Sequence, residues 1–208
     1  MFKKKVDVRE EMMAYMNNKY DEEFTFVAIN TQVWRDTVVE MLVRSAAFPN
    51  ENIIVHRDKK SGEIRDGYLA LKLNDGIEAE IADVVSTVLG ENQTFNYWQD
   101  MPLPSSYTPD MSASDFLKAG AKRTSARIFI SKNVAGKDND AEVLRKALTS
   151  KGYYLTFYLV YVDENALDSV TRDYKEYFSK GRDDVHAIGF FVMDNSFKFS
   201  AYDWRQLE

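Results

Sequence analysis

The sequence predicts an α+β protein made of two α/β halves, each a mixed or antiparallel sheet with helices packed on it. Three observations carry this expectation. Several segments space their apolar residues at the helical period, while others are short runs of strand formers. The two kinds of segment intermingle along the whole chain. Three of the four prolines fall within eight residues, from Pro102 to Pro109. Proline fixes φ and disfavours helix at and just before its position, so this stretch divides the chain. The expected organisation is an N-terminal α+β half over residues 1–100, a proline-rich linker over 101–111, and a C-terminal α+β half over 112–208. The order of the last half is β-α-β-α-β-β after an initial short helix.

The first element is a helix over residues 7–20. Asp7 and Glu10 have capping-box spacing, and Val8, Met12, Tyr15 and Met16 share one face. Residues 23–73 read as β. Phe24 to Ile29, Thr37 to Val43 and Ile53 to His56 are rich in strand formers. Lys59 to Glu63 supplies a hairpin turn with Gly62 where positive φ is needed. The run Tyr68 to Leu73 alternates loosely and fits either a strand or the start of a helix. Residues 76–89 form a helix whose buried face is Ile77, Ile81, Val84 and Val88, with Asn74 or Asp75 as cap and Gly90 as stop. A short strand, Thr94 to Trp98, completes the half.

After the prolines come a helix over 113–120 capped by Ser112, a strand from Ala126 to Ser131, and a helix over 140–150. A strand from Tyr153 to Asp163 follows, then a helix over 166–179. Two strands close the chain, His186 to Met193 and Phe197 to Tyr202, joined by the turn Asp194-Asn195-Ser196. The strand Tyr153–Val162 is apolar on both faces, which predicts a central position. The final strand alternates, so Phe197 and Phe199 are expected to be buried on one face.

Composition excludes several classes of function. The chain has 208 residues, a net charge of −6, two histidines and no cysteine. Residues 1–100 carry 12 Lys+Arg against 18 Asp+Glu, and the remainder balances at 15 each. Neither half offers the basic field that releases counterions from nucleic acid, so no nucleic-acid partner is expected. The basic run Lys3-Lys4-Lys5 reads as a solvated terminus. The longest apolar run, Tyr153 to Val162, is broken by Thr156 and falls far short of the ~20 residues of a membrane span. As written, the chain shows no apolar leader core, which points to the cytoplasm, with a cell-envelope ectodomain whose leader was removed as the alternative. Without cysteine there is no disulfide framework.

The motifs that carry chemistry are equally sparse. The glycines spell no phosphate-binding loop, and there is no nucleophile elbow or zinc-binding helix motif. Asp138-Asn139-Asp140-Ala141-Glu142 is dense in acid, but lacks the glycine and distal glutamate of a calcium loop; at the start of a helix it reads as capping. His56 and His186 both lie in strand patterns and read as structural. No catalytic residue, metal ligand or cofactor is therefore assigned. Aromatic residues are the remaining lead. The segment Tyr153 to Trp204 holds 14 of the 28, mostly as sheet core. Tyr97, Trp98 and Tyr107 differ because they flank the prolines, and they are the candidate binding residues, serving either as a recognition surface or as a latch between halves.

Four segments carry a family resemblance. They are Tyr15-Met-Asn-Asn-Lys-Tyr20, the Asp21-Glu-Glu-Phe-Thr-Phe26 that opens a strand, Asp66-Gly-Tyr-Leu-Ala70, and Val160-Tyr-Val-Asp163. Together they resemble a group of uncharacterised α+β proteins of Gram-positive bacteria, many of which carry a lipoprotein leader. The resemblance implies the fold class and no activity or site residue. As written, the sequence shows neither such a leader nor a cysteine to carry lipid, so an envelope location is not the expectation. The function expected from the sequence is a non-enzymatic bacterial binding or interaction protein, with another protein as partner. The alternatives are a carboxylate-dependent hydrolase and a small acidic inhibitor of the immunity-protein type.

Overall fold

The computed structural model describes residues 7–30, 37–98, 102–120, 124–172 and 183–206. It contains a four-stranded sheet and a five-stranded sheet with helices packed against them, an α+β fold. The chain divides into two compact units, one of residues 1–72 with 100–111, the other of residues 73–99 with 112–208.

In the first unit, α1 (Val8–Tyr20) begins where the Asp7 carboxylate accepts the Arg9 amide, a side-chain cap for an otherwise orphan donor. Its buried stripe is Met12, Met16 and Tyr20. The stripe faces an antiparallel sheet in the order β1 (Phe24–Asn30), β2 (Val38–Ser45), β3 (Ile53–Asp58), β4 (Ile64–Asp66). On β2 and β3, alternate residues Val39, Met41, Val43, Ile53 and Val55 are buried, as a sheet with one covered face requires. Gly62 sits at φ +77° in the β3–β4 hairpin, the left-handed conformation anticipated for it. The ambiguous run at Tyr68 is helical, as α2 (Tyr68–Lys72).

The second unit starts with α3 (Asn74–Leu89), which buries Ile77, Ile81, Val84, Val85 and Leu89 and ends at Gly90. Its five-stranded sheet runs β5 (Asn92–Trp98), β6 (Thr124–Ile130), β7 (Thr156–Val162), β8 (Val185–Met193), β9 (Phe199–Gln206). Only the β6–β7 pair is parallel, and the crossover joining it carries α5 (Lys137–Lys151). β7 occupies the centre, with Phe157, Leu159 and Tyr161 buried on one face and Val160 and Val162 on the other. The first face meets α5 through Tyr161. The second is covered at one end by α6 (Glu164–Leu167), where Ala166 and Leu167 pack with Phe129, Val160 and Ile188. A short helix, α4 (Ala113–Lys118), packs on α3 and is capped by Ser112.

Three expectations require correction. The division at the prolines does not match the packing: residues 73–98 build α3 and β5 of the second unit, because β5 hydrogen-bonds to β6. The proline segment is not a bare linker. Leu103 and Tyr107 are buried and the Leu103 amide donates to the Asp66 carbonyl at 2.8 Å, so the segment belongs to the first unit. Phe197 and Phe199 are half-buried rather than core. Phe197 lies in the turn with φ +59°, outside the strand, and β9 is an edge strand with no strand beyond it among the described residues to complete the cover. The helix expected over 166–179 falls largely on residues 173–182, outside the described residues; the described part holds α6 and a buried Val170.

Candidate functional site

Two segments singled out in the sequence converge on one carboxylate. Asp66, at the end of β4, has no exposed surface. Its Oδ1 accepts the Tyr20 hydroxyl at 2.6 Å and the Tyr68 amide at 3.0 Å; its Oδ2 accepts the Lys19 ammonium at 2.7 Å and the Tyr15 hydroxyl at 2.9 Å. Tyr15, Lys19 and Tyr20 reach it together because residues four and five apart on α1 lie on adjoining faces. Burial, then the Asp66 charge, pushes both tyrosine pKa values well above the usual range. Beside it, burial and then the hydrogen bond to Glu22 push Tyr68 up to about 12. Glu22 is held below its ordinary range: burial opposes ionisation, but the Lys72 ammonium and Tyr68 hydroxyl outweigh it. The Asp66 carboxylate is surrounded by donors from α1 and by the Tyr68 amide that follows β4. The arrangement anchors α1 to the sheet. A general base needs a lone pair within reach of a substrate proton, and Asp66 offers none to solvent.

A second saturated carboxylate lies in the other unit. Glu78 on α3 takes both Arg172 Nη atoms at 2.7 and 2.8 Å, the Asn96 amide at 2.7 Å and the Asn74 side-chain amide at 3.1 Å. Asp140, anticipated as a helix cap, instead points inward to the Tyr161 hydroxyl at 2.9 Å and pairs with Lys132 at 2.7 Å. His56 pairs with Glu40 and His186 with Asp163, both across strand or strand-end neighbours. Among the described residues, no group of three or more His, Cys, Asp or Glu side chains is placed to hold a metal ion.

The outer face of the second sheet differs. Register places Tyr97 of β5, Arg127 of β6, Tyr158 of β7 and Phe190 of β8 on one face, all half-buried. The Arg127 guanidinium lies 4.1 Å from the Tyr97 ring centre and 4.9 Å from that of Tyr158, within cation–π range of both. Tyr158 and Phe190 are tilted against each other at 4.9 Å. The row runs into a groove of about 220 Å³ lined by Tyr158, Ile188, Phe190, Asp203 and Arg205. Asp203 and Arg205 are exposed on β9 and form no ion pair with any described residue. A second groove, of about 270 Å³, lies by the β8–β9 turn. Its one carboxylate, Asp194, is consumed within the turn by the Ser196 and Lys198 amides and the Ser196 hydroxyl.

Of the three candidate binding residues, Tyr97 belongs to this outer face, where its hydroxyl also donates to the Arg172 carbonyl. Trp98 ends β5, and its side chain lies outside the described residues. Tyr107 is buried in the first unit and lines no described groove. Sequence reasoning passed over Arg127, Tyr158, Phe190, Asp203 and Arg205. Period-2 alternation places each pair of strand neighbours on opposite faces, but the alignment of one strand with the next fixes the row, and no local signal encodes that.

No protein-family model matches the chain, and no curated protein matches it. Among solved structures, the crystal structure of a DUF5037 family protein from Ruminococcus gnavus ATCC 29149 is similar over 78% of each chain, with a TM-score of 0.38 and 14% sequence identity. Likeness at that level carries no functional argument.

Proposed function

We propose that the chain is a non-enzymatic interaction protein of a bacterium, and that the outer face of its five-stranded sheet recognises another protein. One observation supports this above the others: a half-buried row of Tyr97, Arg127, Tyr158 and Phe190 ends in two exposed charges, Asp203 and Arg205. Aromatic rings and guanidinium groups supply most of the energy at protein interfaces, and sheet-held rings lose little freedom on binding. The carboxylates with several close partners, Asp66, Glu78 and Asp140, are engaged by neighbouring donors, which favours structural roles for them over the hydrolase reading.

The test uses a photo-crosslinking benzoylphenylalanine in place of Phe190, in cells that make the protein. The expected result is a discrete adduct with another protein, absent when the probe replaces the exposed Thr25 of β1. No adduct from position 190, or the same adducts from both positions, would reject this surface.

A further inference from the structure

The two sheets have four edge strands, and three are protected against pairing with another chain. β4 has only three residues. β1 carries a register shift between Phe26 and Ala28, a bulge that interrupts its ladder. On β5, the Asn96 amide donates to Glu78 and the Asn96 carbonyl accepts from Arg172 at 3.5 Å, so side chains occupy outward-facing backbone groups. β9 has a register shift only at its start, where Ser200 is left unpaired between Phe199 and Ala201, and none of these devices beyond it. It runs for eight residues without Pro or Lys, and its pairing with β8 is regular from Ala201 to Gln206. No described segment pairs with its outer side. A long, regular, bare edge is a template for one more strand.

The charges on β9 identify that strand. Asp203 and Arg205 are two residues apart on one face, with Trp204 between them on the other. We infer that β9 pairs antiparallel with β9 of a second copy of this chain, about a twofold axis at Trp204. Directly opposed residues of an antiparallel pair share a face. An axis at Trp204 sets Asp203 opposite the partner's Arg205, and Arg205 opposite the partner's Asp203. An axis at Asp203 would oppose two carboxylates, and one at Arg205 would oppose two guanidiniums. An axis at Tyr202 would leave both charges unmatched. On the opposite face each Trp204 indole folds back over its own sheet, where Gly189 leaves room for it, since a Cβ there would come within 2.6 Å of the ring, and its Nε1 donates to Asp138 at 2.8 Å. Joining the strands makes a ten-stranded sheet and sets the two outer-face grooves side by side. The inference rests on the interaction reading above and names one partner for it.

Sedimentation velocity on the full chain, from roughly 1 to 300 µM, reads the outcome in the range of small, reversible interfaces. The expected result is a concentration-dependent rise to twice the chain mass. Asp203→Arg and Arg205→Asp should each weaken self-association at least about tenfold, because each opposes like charges twice. An equimolar mixture of the two variants should dimerise again, since every opposed pair is then Arg with Asp. The double variant D203R/R205D should also regain association. Both rescues require folded chains, so misfolding cannot imitate them. Monomer at all concentrations, single variants that associate like wild type, or failure of both rescues would overturn the pairing. A monomer that still gives the Phe190 adduct with a different protein would overturn self-pairing while sparing the recognition face.

Discussion

In the four-stranded sheet, the buried carboxylate is sealed. Asp66 lies beneath α1 with two hydroxyls, an ammonium and an amide arranged around it. In the five-stranded sheet, the centre is almost wholly apolar and the unmatched charges stand at the rim, on Asp203 and Arg205. The difference follows from desolvation. A buried carboxylate is tolerable only with all its partners present, so it fixes the position of the helix that supplies them. An exposed charge keeps its hydration and can exchange it for a partner later. Saturated burial marks architecture, whereas exposed rim charges beside half-buried rings are the basis of the recognition surface proposed above.

The sharpest way to break this comparison is to remove Asp66. Asp66→Ala leaves the Lys19 ammonium and two tyrosine hydroxyls without their acceptor, and should cost about 3–5 kcal/mol in urea unfolding. A loss below about 1 kcal/mol would show that the cluster is not the anchor of α1. In the second sheet, Phe191 is buried and stacks on Phe157, whereas Phe199 is half-buried at the edge. Phe191→Ala should cost about 3–5 kcal/mol, and Phe199→Ala about half that. Equal losses would mean that the edge is packed as tightly as the centre.

Tyrosine titration sharpens the same contrast. Tyr20→Phe removes a hydrogen bond to a charged acceptor and should cost about 1.5–3 kcal/mol near neutral pH. Because the folded pKa of Tyr20 is raised above its unfolded value of 10.0, its contribution is complete below that pH and is lost as pH rises beyond it. Denaturation between pH 9 and 11.5 should therefore show a shallower alkaline loss for Tyr20→Phe than for wild type. Parallel curves would contradict the assigned role. At the rim, Asp203→Arg should move the melting temperature of dilute protein by less than about 2 °C. A larger fall would place Asp203 in the fold rather than on the surface.

The legible part of the structure was local. The spacing of Val8, Met12, Tyr15 and Met16 marks α1, where Met12 and Met16 are buried, and that of Ile77, Ile81, Val84 and Val88 marks α3, where all but the half-buried Val88 are buried, because a helix repeats every 3.6 residues whatever surrounds it. The two-sided apolar run Tyr153–Val162 identified a central strand, observed as β7 over Thr156–Val162, since only a strand covered on both faces can hide both sets of side chains. The one-face alternation at Phe199 was also legible, but not its half-burial. Alternation reports which face a residue takes and says nothing about whether the strand has a neighbour. The prolines marked where the chain stiffens, and not which sheet their flanks would join.

The candidate site was less legible for the same reason. Tyr97 was found through its position beside the prolines, but its companion Arg127 lies 30 residues on and Phe190 still further. Asp66 meets Tyr20 across a separation of 46 residues. The sequence alone determined the elements, the class of fold, the charge balance and the lack of thiol chemistry, because each follows from residue type and short-range backbone period. Tertiary structure decided which strand became an exposed edge, which carboxylates were sealed and which side chains formed a row. Those outcomes depend on which distant segments pair, and pairing is settled by the burial each segment gains from all the others rather than by any short stretch of chain.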